Sequence, residues 1–349
     1  GGAFARYFPH YEPRAQQAQM MDAVARTLND GGTLLVEAGT GTGKSLAYLM
    51  PAILHAVERG ERVVVSTNTI ALQDQLVRKD LPDLRQALTG MATEVPELER
   101  AARFDAAVLK GRANYLCLRR WFLAQREPVR QPEEASLHAK ILTWLQQTET
   151  GDRAELHLSP DEQAFWGKLA EEEGACVPGR CVFHRRNQCF LFRPRHEAES
   201  SHIVVVNHAL LLSDMMASNT VIPPYTNLII DEAHNLEEEA TSQLGFTLSR
   251  ARLVEFLHRS LTLETGADVG GALGRLRQAV TRVRDNGIGD AANDLRDQLE
   301  TAQTAVERAR TQIDSGFQVL GAFAALHDEE RSEYDHRLRL TAGLRHDPA

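Results

Sequence analysis

A glycine-rich segment between an apolar run and a helical stretch has the composition of a phosphate-binding loop. Residues 37–45 read EAGTGTGKS and follow the apolar run at residues 33–37. Glycines let backbone N–H groups approach phosphate oxygens, and the following helix adds its positive dipole end. Lys44 is predicted to reach the β- and γ-phosphates, and the Ser45 hydroxyl to coordinate Mg²⁺. The other predicted nucleotide-binding residues of the loop are Gly39, Thr40, Gly41, Thr42 and Gly43.

An acidic motif stands at the end of a later apolar run, where residues 229–234 read IIDEAH. Asp231 is predicted to hold Mg²⁺ through water, and Glu232 to orient or deprotonate the attacking water. His234 is predicted to sense the γ-phosphate. The alternative is a helix N-cap, with Asp231 capping and Glu232 in the first turn. Because a phosphate-binding loop lies upstream, we favour catalysis, with Lys44 as the fourth catalytic residue.

The four cysteines are Cys117, Cys176, Cys181 and Cys189. In a cytosolic protein, clustered cysteines more often bind metal or do redox chemistry than form disulfides. No Cys-x2-Cys pair is present, which argues against a typical structural zinc site. Thiolates are soft ligands that suit iron–sulfur clusters. The cysteines by themselves leave an iron–sulfur cluster, zinc and free buried thiols open.

Short apolar, β-branched runs alternate with longer helical stretches and must position these groups. The predicted strands are residues 33–37, 62–67, 106–110, 202–207 and 227–231. Near-continuous apolar strands of this kind are buried on both faces, as in a parallel sheet flanked by helices. The alternation predicts an α/β core. Residues 290–314 have helical periodicity.

Composition restricts the class of protein. The chain has 349 residues and a hydrophobic fraction of 43%, which allows two or three domains. No apolar run reaches the roughly 18–20 residues of a membrane span, and no signal peptide opens the sequence. The net charge of −9 argues against a nucleic-acid-binding protein, so DNA binding would depend on local basic patches.

One such patch lies among the cysteines. Between residues 176 and 196 the sequence has no acidic residue and five arginines, Arg180, Arg185, Arg186, Arg193 and Arg195. Interleaved aromatic residues are Phe183, Phe190 and Phe192, and further basic residues near Cys117 are Lys110, Arg112, Arg119 and Arg120. Single-strand channels combine such charge with rings for the bases. The alternative is a solvated basic face over packed phenylalanines. We favour DNA contact for the arginines and packing for the phenylalanines.

The phosphate-binding loop and the IIDEAH motif together resemble superfamily 2 helicases of the DEAH-box type. Residues 110–117 (KGRANYLC) resemble the segment before the first cluster ligand in DinG/XPD-type DNA helicases. This resemblance implies a RecA-like P-loop lobe with a parallel sheet at residues 1–110 and 200–240. It implies an inserted iron–sulfur domain at residues 111–199, whose four cysteines hold a [4Fe–4S] cluster. It also implies a mostly helical Arch domain, partial at residues 241–349, with the second motor lobe absent from this chain.

The resemblance also implies roles for single residues. In such helicases an R-x-x-Q motif reads the adenine edge, and here Gln17 matches that position with Arg14 in support. Thr67, Thr69 and Gln73 match the motif that contacts DNA phosphates. For the strand-end residues Asn207 and His208, a structural role is favoured over contact with DNA.

By resemblance, the expected activity is ATP-dependent DNA unwinding, 5′→3′, at single-strand/duplex junctions in repair or replication. The expected cofactors are ATP, Mg²⁺ and a [4Fe–4S] cluster, and the expected partners are single-stranded and forked DNA. A monomeric motor without membrane contact is expected in the cytoplasm, associated with the nucleoid, and the fragment alone is expected to be poorly active. The alternatives are a non-unwinding DNA-dependent ATPase and a redox-sensing DNA-binding module. An upstream nuclease domain, as in some DinG relatives, also remains open.

Overall fold

The computed structural model describes residues 6–7, 12–39, 41–126, 128–129, 131–170, 176, 178–217, 219–245, 248–261, 273–274, 276–277, 279–281 and 289–326. The chain divides into two compact units, residues 1–245 and 246–349, and each is described by itself.

The first unit contains twelve described α-helices and four strands. The helices are α1 (Ala15–Asp30), α2 (Lys44–Arg59), α3 (Ile70–Gln75), α4 (Leu81–Ala92), α5 (Glu99–Ala102), α6 (Leu118–Ala124), α7 (Pro132–Trp144), α8 (Pro160–Leu169), α9 (Val182–Arg185), α10 (Phe192–Ser200), α11 (His208–Met216) and α12 (Leu236–Leu244). The strands are β1 (Val63–Thr67), β2 (Ala106–Val108), β3 (Ile203–Asn207) and β4 (Asn227–Ile230). A π-helical turn, Leu76–Asp80, joins α3 to α4.

The four strands form one parallel sheet in the order β2–β3–β1–β4. β1 lies between β3 and β4, so that Val65 has Val205 on one side and Ile229 on the other. Parallel neighbours need crossover connections, which here are the helices between the strands. The predicted α/β class with a parallel sheet is therefore confirmed.

Successive side chains of a strand point to opposite faces, and both faces of this sheet are covered. Val63 and Val65 lie on the face that packs against α2 and α4. Val64, Val204 and Val206 lie on the other face, in a cluster that includes residues of α10 and α11. This double burial explains why residues 63–65 of β1 and 203–206 of β3 are uniformly apolar.

The strand predicted at residues 33–37 is wrong. The segment has no strand assignment, and Leu35 is 91% exposed. A strand requires a neighbour for its backbone N–H and C=O groups, and within the described residues the sheet ends at β4. The apolar residues are therefore present, but no described neighbouring strand supplies the backbone hydrogen bonds that would make residues 33–37 a strand. The other four predicted strands are confirmed, with small differences at their ends.

Residues 111–200 include a compact region with its own core. Its largest fully buried side chains are Trp121, Trp166, Leu137 and Ile141. Isolated antiparallel bridges join Tyr115 to Asp152 and Leu116 to Ala170. Two separated segments of the insertion are thereby tied to the two residues that precede Cys117.

Helix α8 of this region begins with a reciprocal capping box between Ser159 and Glu162. Hydrogen bonds from Lys140, from the backbone N–H of Ser159 and from Ser136 lower the pKa of Glu162 to about 2. The carboxylate is therefore charged and fully bonded where α7 meets α8.

In the second unit, α13 (Arg250–Leu261) and α14 (Gly289–Leu326) are connected by an ion pair between Arg250 and Asp314, at 2.7 Å. The helix predicted at residues 290–314 is confirmed within α14. Among the described helices of the whole chain, none is long and apolar enough to cross a membrane.

We expect Gly151→Ala to destabilise the protein more than Gly60→Ala. Both glycines have left-handed backbones, with φ of 66° and 65°, so each alanine costs about 1–2 kcal/mol in backbone strain. A Cβ at Gly60 would meet open space, whereas at Gly151 it would lie 2.1 Å from the Phe190 ring. This overlap is expected to add roughly 1–3 kcal/mol. Urea unfolding measures both variants, and equal losses would contradict the packing described for Phe190.

Candidate functional site

The glycine-rich loop ends directly at the N-terminus of α2. Gly43 has φ of 80° and is the residue before Lys44, the first residue of the helix. Gly41 also has a positive φ, and the Thr42 hydroxyl donates to the Gly39 carbonyl at 2.8 Å. Only glycine adopts such backbone conformations without strain. The loop is thus folded tightly at the helix end, while Thr40 lies outside the described residues.

Gln17 of α1 supports this loop. Its side-chain amide is buried and donates to the Gly43 carbonyl at 3.1 Å. A Cβ at Gly43 would lie 2.0 Å from the same amide nitrogen, so only glycine allows this approach. Arg14, at the start of α1, pairs with Glu12 at 3.2 Å. The adenine-reading role of Gln17 and Arg14 stays a prediction.

Lys44 and Glu232 join the two predicted motifs. The Lys44 ammonium donates to the Glu232 carboxylate at 2.9 Å, across 188 residues of sequence. This hydrogen bond is the main cause that raises the pKa of Lys44, and it also lowers the pKa of Glu232. Both changes have the sign expected for a formed ion pair. The predicted phosphate-binding lysine and the predicted general base therefore lie in one site.

Asp231 follows the last residue of β4 at the carboxyl edge of the sheet. Its backbone N–H donates to the Ser66 carbonyl of β1 at 2.8 Å. Its Oδ2 accepts a hydrogen bond from the Tyr48 hydroxyl at 3.1 Å, and Ser45 interacts with the same hydroxyl. A serine hydroxyl and a carboxylate are hard oxygen ligands, so the donor set around Tyr48 fits Mg²⁺.

The N-cap alternative for the acidic motif is wrong. Glu232 has a left-handed backbone, with φ of 57° and ψ of 41°, and a short 3₁₀ turn follows it at Ala233–Asn235. α12 begins only at Leu236, and Asp231 does not cap it. A strained, non-glycine backbone of this kind is typical of functional sites. His234 is exposed, and its Nδ1 lies 3.6 Å from the Glu232 carboxylate, so γ-phosphate sensing stays a prediction.

Residues predicted to contact DNA through the first strand and α3 are largely used inside the fold. Gln73 is fully buried and donates to the carbonyls of Leu109 and Val205, at 2.7 and 3.1 Å. Thr67 is fully buried, and the Thr69 hydroxyl caps α3 by accepting from the Leu72 N–H. Gln73 and Thr67 are therefore corrected to structural residues, because their side chains do not reach the surface.

Asn207 and His208 are structural, as favoured from the sequence. Asn207 caps α11 by accepting from the Leu210 N–H at 3.0 Å. His208 is fully buried and hydrogen-bonds with the Ser66 hydroxyl at 2.7 Å. Burial lowers the pKa of His208. Sequence reasoning missed this Ser66–His208 pair because 142 residues separate its members.

The four cysteines are all half-buried. Cys117 and Cys181 each precede a short helix, α6 and α9, and Cys189 lies before α10. Burial, opposed by backbone hydrogen bonds, raises the pKa of Cys189, and the thiols of Cys117 and Cys181 contribute in the same direction. These three thiols therefore lie near one another. Within the described part of the chain, however, no group of three or more metal-binding side chains has the spacing of a formed metal site.

Comparisons with known proteins agree with the two motifs. A family model described as DEAD/DEAH box helicase matches residues 14–96, and a model described as DEAD_2 matches residues 180–253. The ATP-dependent helicase DinG of Mycobacterium tuberculosis strain H37Rv is 39% identical over 255 residues, which are 69% of this chain and 37% of that protein. This chain is a homologue of the DinG and YoaA helicases.

Two further relatives extend the comparison. The ATP-dependent DNA helicase YoaA of Escherichia coli K12 is 34% identical over 274 residues, 75% of this chain and 39% of that protein. The 3′-5′ exonuclease DinG of Bacillus subtilis is 33% identical over 280 residues, 80% of this chain and 28% of that protein. The chain thus spans well under half the length of these DinG and YoaA relatives.

The basic residues of this DinG/YoaA homologue divide into buried and exposed sets. Lys110 is 4% exposed and pairs with Asp74 at 2.6 Å and Asp152 at 2.5 Å, so its predicted place in a DNA-binding patch is wrong. Desolvation makes an unpaired buried ammonium unfavourable, which explains the two carboxylates. Arg120 donates to the Ala170 carbonyl at 3.0 Å. The exposed arginines of the predicted patch are Arg119, Arg180, Arg185 and Arg186.

The phenylalanines of the patch also differ in their surroundings. Phe190 is buried in the core of the cysteine region and Phe192 packs against it, which confirms the packing interpretation for both. Arg193 and Arg195 lie over these two rings, at 5.5 and 5.3 Å. Phe183 stacks in parallel on Phe122, with ring centroids 5.6 Å apart, and Phe122 is exposed.

We expect Lys110→Met to lower the free energy of unfolding by about 3 kcal/mol, because it leaves the Asp152 carboxylate buried without its cation. The matched control is Arg103→Met, which removes an exposed pair with Glu99 and is expected to change stability little. Urea unfolding compares the two variants. A loss for Lys110→Met no larger than for the control would show that the buried cation does not hold Asp74 and Asp152 together.

Proposed function

We propose that this chain forms the ATP-binding part of an ATP-dependent DNA helicase that moves 5′→3′ and acts at single-strand/duplex junctions in DNA repair or replication. The observation that carries the proposal is the contact of Lys44 with Glu232 at 2.9 Å. It joins a phosphate-binding loop to an acidic motif in a chain homologous to the DinG and YoaA helicases. Polarity and pathway rest on the family resemblance.

Each residue of the site has a proposed role in ATP binding or hydrolysis. Lys44 neutralises charge on the β- and γ-phosphates, which replace the Glu232 carboxylate as its partner. Glu232, released from that pair, orients the attacking water and accepts its proton. Ser45 and Asp231 would hold Mg²⁺, which supplies further neutralisation of phosphate charge. The exposed His234 stands beside Glu232, where a γ-phosphate sensor would be needed.

Contact with single-stranded DNA is supported by the exposed side of the cysteine region. Arg180, Arg185 and Arg186 provide positive charge without acidic neighbours between residues 176 and 196. The stacked pair of Phe122 and Phe183 offers an exposed ring on which a base can stack. Charge for the backbone and a ring for the bases is the combination used in sequence-independent binding of single strands.

Loss of the Lys44 side chain is expected to weaken binding of a fluorescent ATP analogue at least about tenfold, because a direct phosphate contact disappears. Lys168→Ala is the control, since Lys168 lies in α8 of the cysteine region. The same Lys44→Ala change in a longer form of the protein should abolish DNA-stimulated ATP hydrolysis. Unchanged nucleotide binding by Lys44→Ala would refute the proposed ATP site.

We also propose that Cys117, Cys176, Cys181 and Cys189 hold a [4Fe–4S] cluster. The number of cysteines, their soft thiolate donors and the family resemblance support this assignment. A bound cluster would supply a rigid cross-link between four segments of the region. In the cysteine region, the Cys117 backbone N–H donates to the Leu169 carbonyl at 3.0 Å, which places one proposed ligand against α8.

Anaerobic purification is expected to give a broad absorption band near about 400 nm, with about four iron and four acid-labile sulfide per chain. Cys189→Ser should lose most of this absorption, because one thiolate ligand is removed. Stoichiometric zinc without sulfide would refute the cluster and leave the proposed ATP site in place.

A further inference from the structure

Tyr48 lies one turn after Lys44 and Ser45 in α2, so that the three side chains share one face of the helix. Its ring is 2% exposed and packs in the core beside β1. Its hydroxyl donates to Asp231 Oδ2 at 3.1 Å. One buried phenol thus bonds to one residue that is predicted to hold magnesium and lies one helical turn from the other, Ser45.

The Tyr48 hydroxyl is buried together with its ring. A buried hydroxyl needs a hydrogen-bond partner, since an unsatisfied polar group in the core is unfavourable. The acceptor of this hydroxyl is Asp231 Oδ2, at 3.1 Å.

The hydrogen bonds of Asp231 define the orientation of its carboxylate. Oδ1 accepts from the Glu232 N–H at 3.1 Å, and Oδ2 accepts from Tyr48. A carboxylate oxygen can accept two hydrogen bonds, and each oxygen of Asp231 has one such bond among the described residues. Each therefore keeps a lone pair for a metal-bound water. The Glu232 contact is local and follows the strained backbone there. The Tyr48 contact is the one that ties the carboxylate to α2, where the phosphates are expected.

We propose that Tyr48 is a positioning residue that ties Asp231 to α2 and holds the Asp231 carboxylate in the orientation that receives magnesium-bound ATP. The inference rests on the proposed ATP site and deepens it. Tyr48 is not itself a metal ligand. It acts through Asp231, because magnesium requires near-ideal octahedral geometry and tolerates little tilt of its partners.

Tyr48→Phe tests this role, since it removes the hydroxyl and keeps the buried ring. We expect the Kd of a fluorescent ATP analogue for this chain to rise about five- to tenfold in Mg²⁺. In EDTA, where only contacts to the bare nucleotide remain, the Kd should change by less than about twofold. Binding stoichiometry from the same titrations gives the folded fraction, so each Kd refers to folded protein.

Tyr115→Phe is the matched control. Tyr115 is also buried, and its hydroxyl accepts from the Lys110 N–H in the cysteine region. Its loss should leave both Kd values unchanged. In an Asp231→Asn background, Tyr48→Phe should change the Kd in Mg²⁺ by less than about twofold, because the two residues act as one unit.

The outcomes separate the two proposals. If wild-type chain binds the analogue and Lys44→Ala does not, the ATP site stands. Equal effects of Tyr48→Phe in Mg²⁺ and EDTA, or no effect in either, would then overturn the positioning role alone. A full additional loss in the Asp231→Asn background would overturn it as well. If wild type and Lys44→Ala bind equally weakly, the proposed ATP site itself fails.

Discussion

Parallel pairing of β1 with β4 is the interaction on which the candidate site depends. It carries the backbone N–H of Asp231 to the Ser66 carbonyl and places Glu232 within 2.9 Å of Lys44. Carboxyl ends of parallel strands meet at one edge of a sheet, where helix N-termini also begin. The start of α2 and the end of β4 therefore meet although the sequence separates them widely. Buried valines on both faces of β1 keep this register fixed.

Buried polar side chains reinforce the same edge of the sheet. Gln73 donates to the carbonyl of Leu109, directly after β2, and to that of Val205 within β3. His208 hydrogen-bonds with Ser66 near the end of β1. The buried Tyr48 hydroxyl donates to the Asp231 carboxylate, directly after β4. Backbone and side-chain polar groups at strand ends must be satisfied where water is excluded. Gln73, which resembles part of a DNA-contacting motif in sequence, instead hydrogen-bonds to buried backbone carbonyls.

Basic residues near the cysteines do not all lie on the surface of the protein. Lys110 stands among the basic residues near Cys117 in sequence, yet it is the cation of a buried triad with Asp74 and Asp152. That triad joins α3 and β2 of the sheet to the cysteine region, which has a core of its own. The exposed arginines of the predicted patch are Arg119, beside Cys117, and three between Cys176 and Cys189. Of the basic residues near the cysteines, Lys110 thus joins the sheet to the cysteine region, while exposed arginines are available for the proposed contact with DNA.

The sequence by itself determined the α/β class, four of the five predicted strands, and a glycine-rich loop directly before a helix, because apolar periodicity and glycine spacing are local properties. It favoured packing for all three phenylalanines of the patch, and the structure confirms this for Phe190 and Phe192. Only the tertiary structure decided that residues 33–37 have no strand neighbour among the described residues, and that Lys110 and Gln73 are buried. Strand pairing and desolvation depend on contacts between residues far apart in sequence, so no local pattern specifies them. Tyr48 shows the same limit: its helix position is readable from sequence, but its partner Asp231 lies 183 residues away.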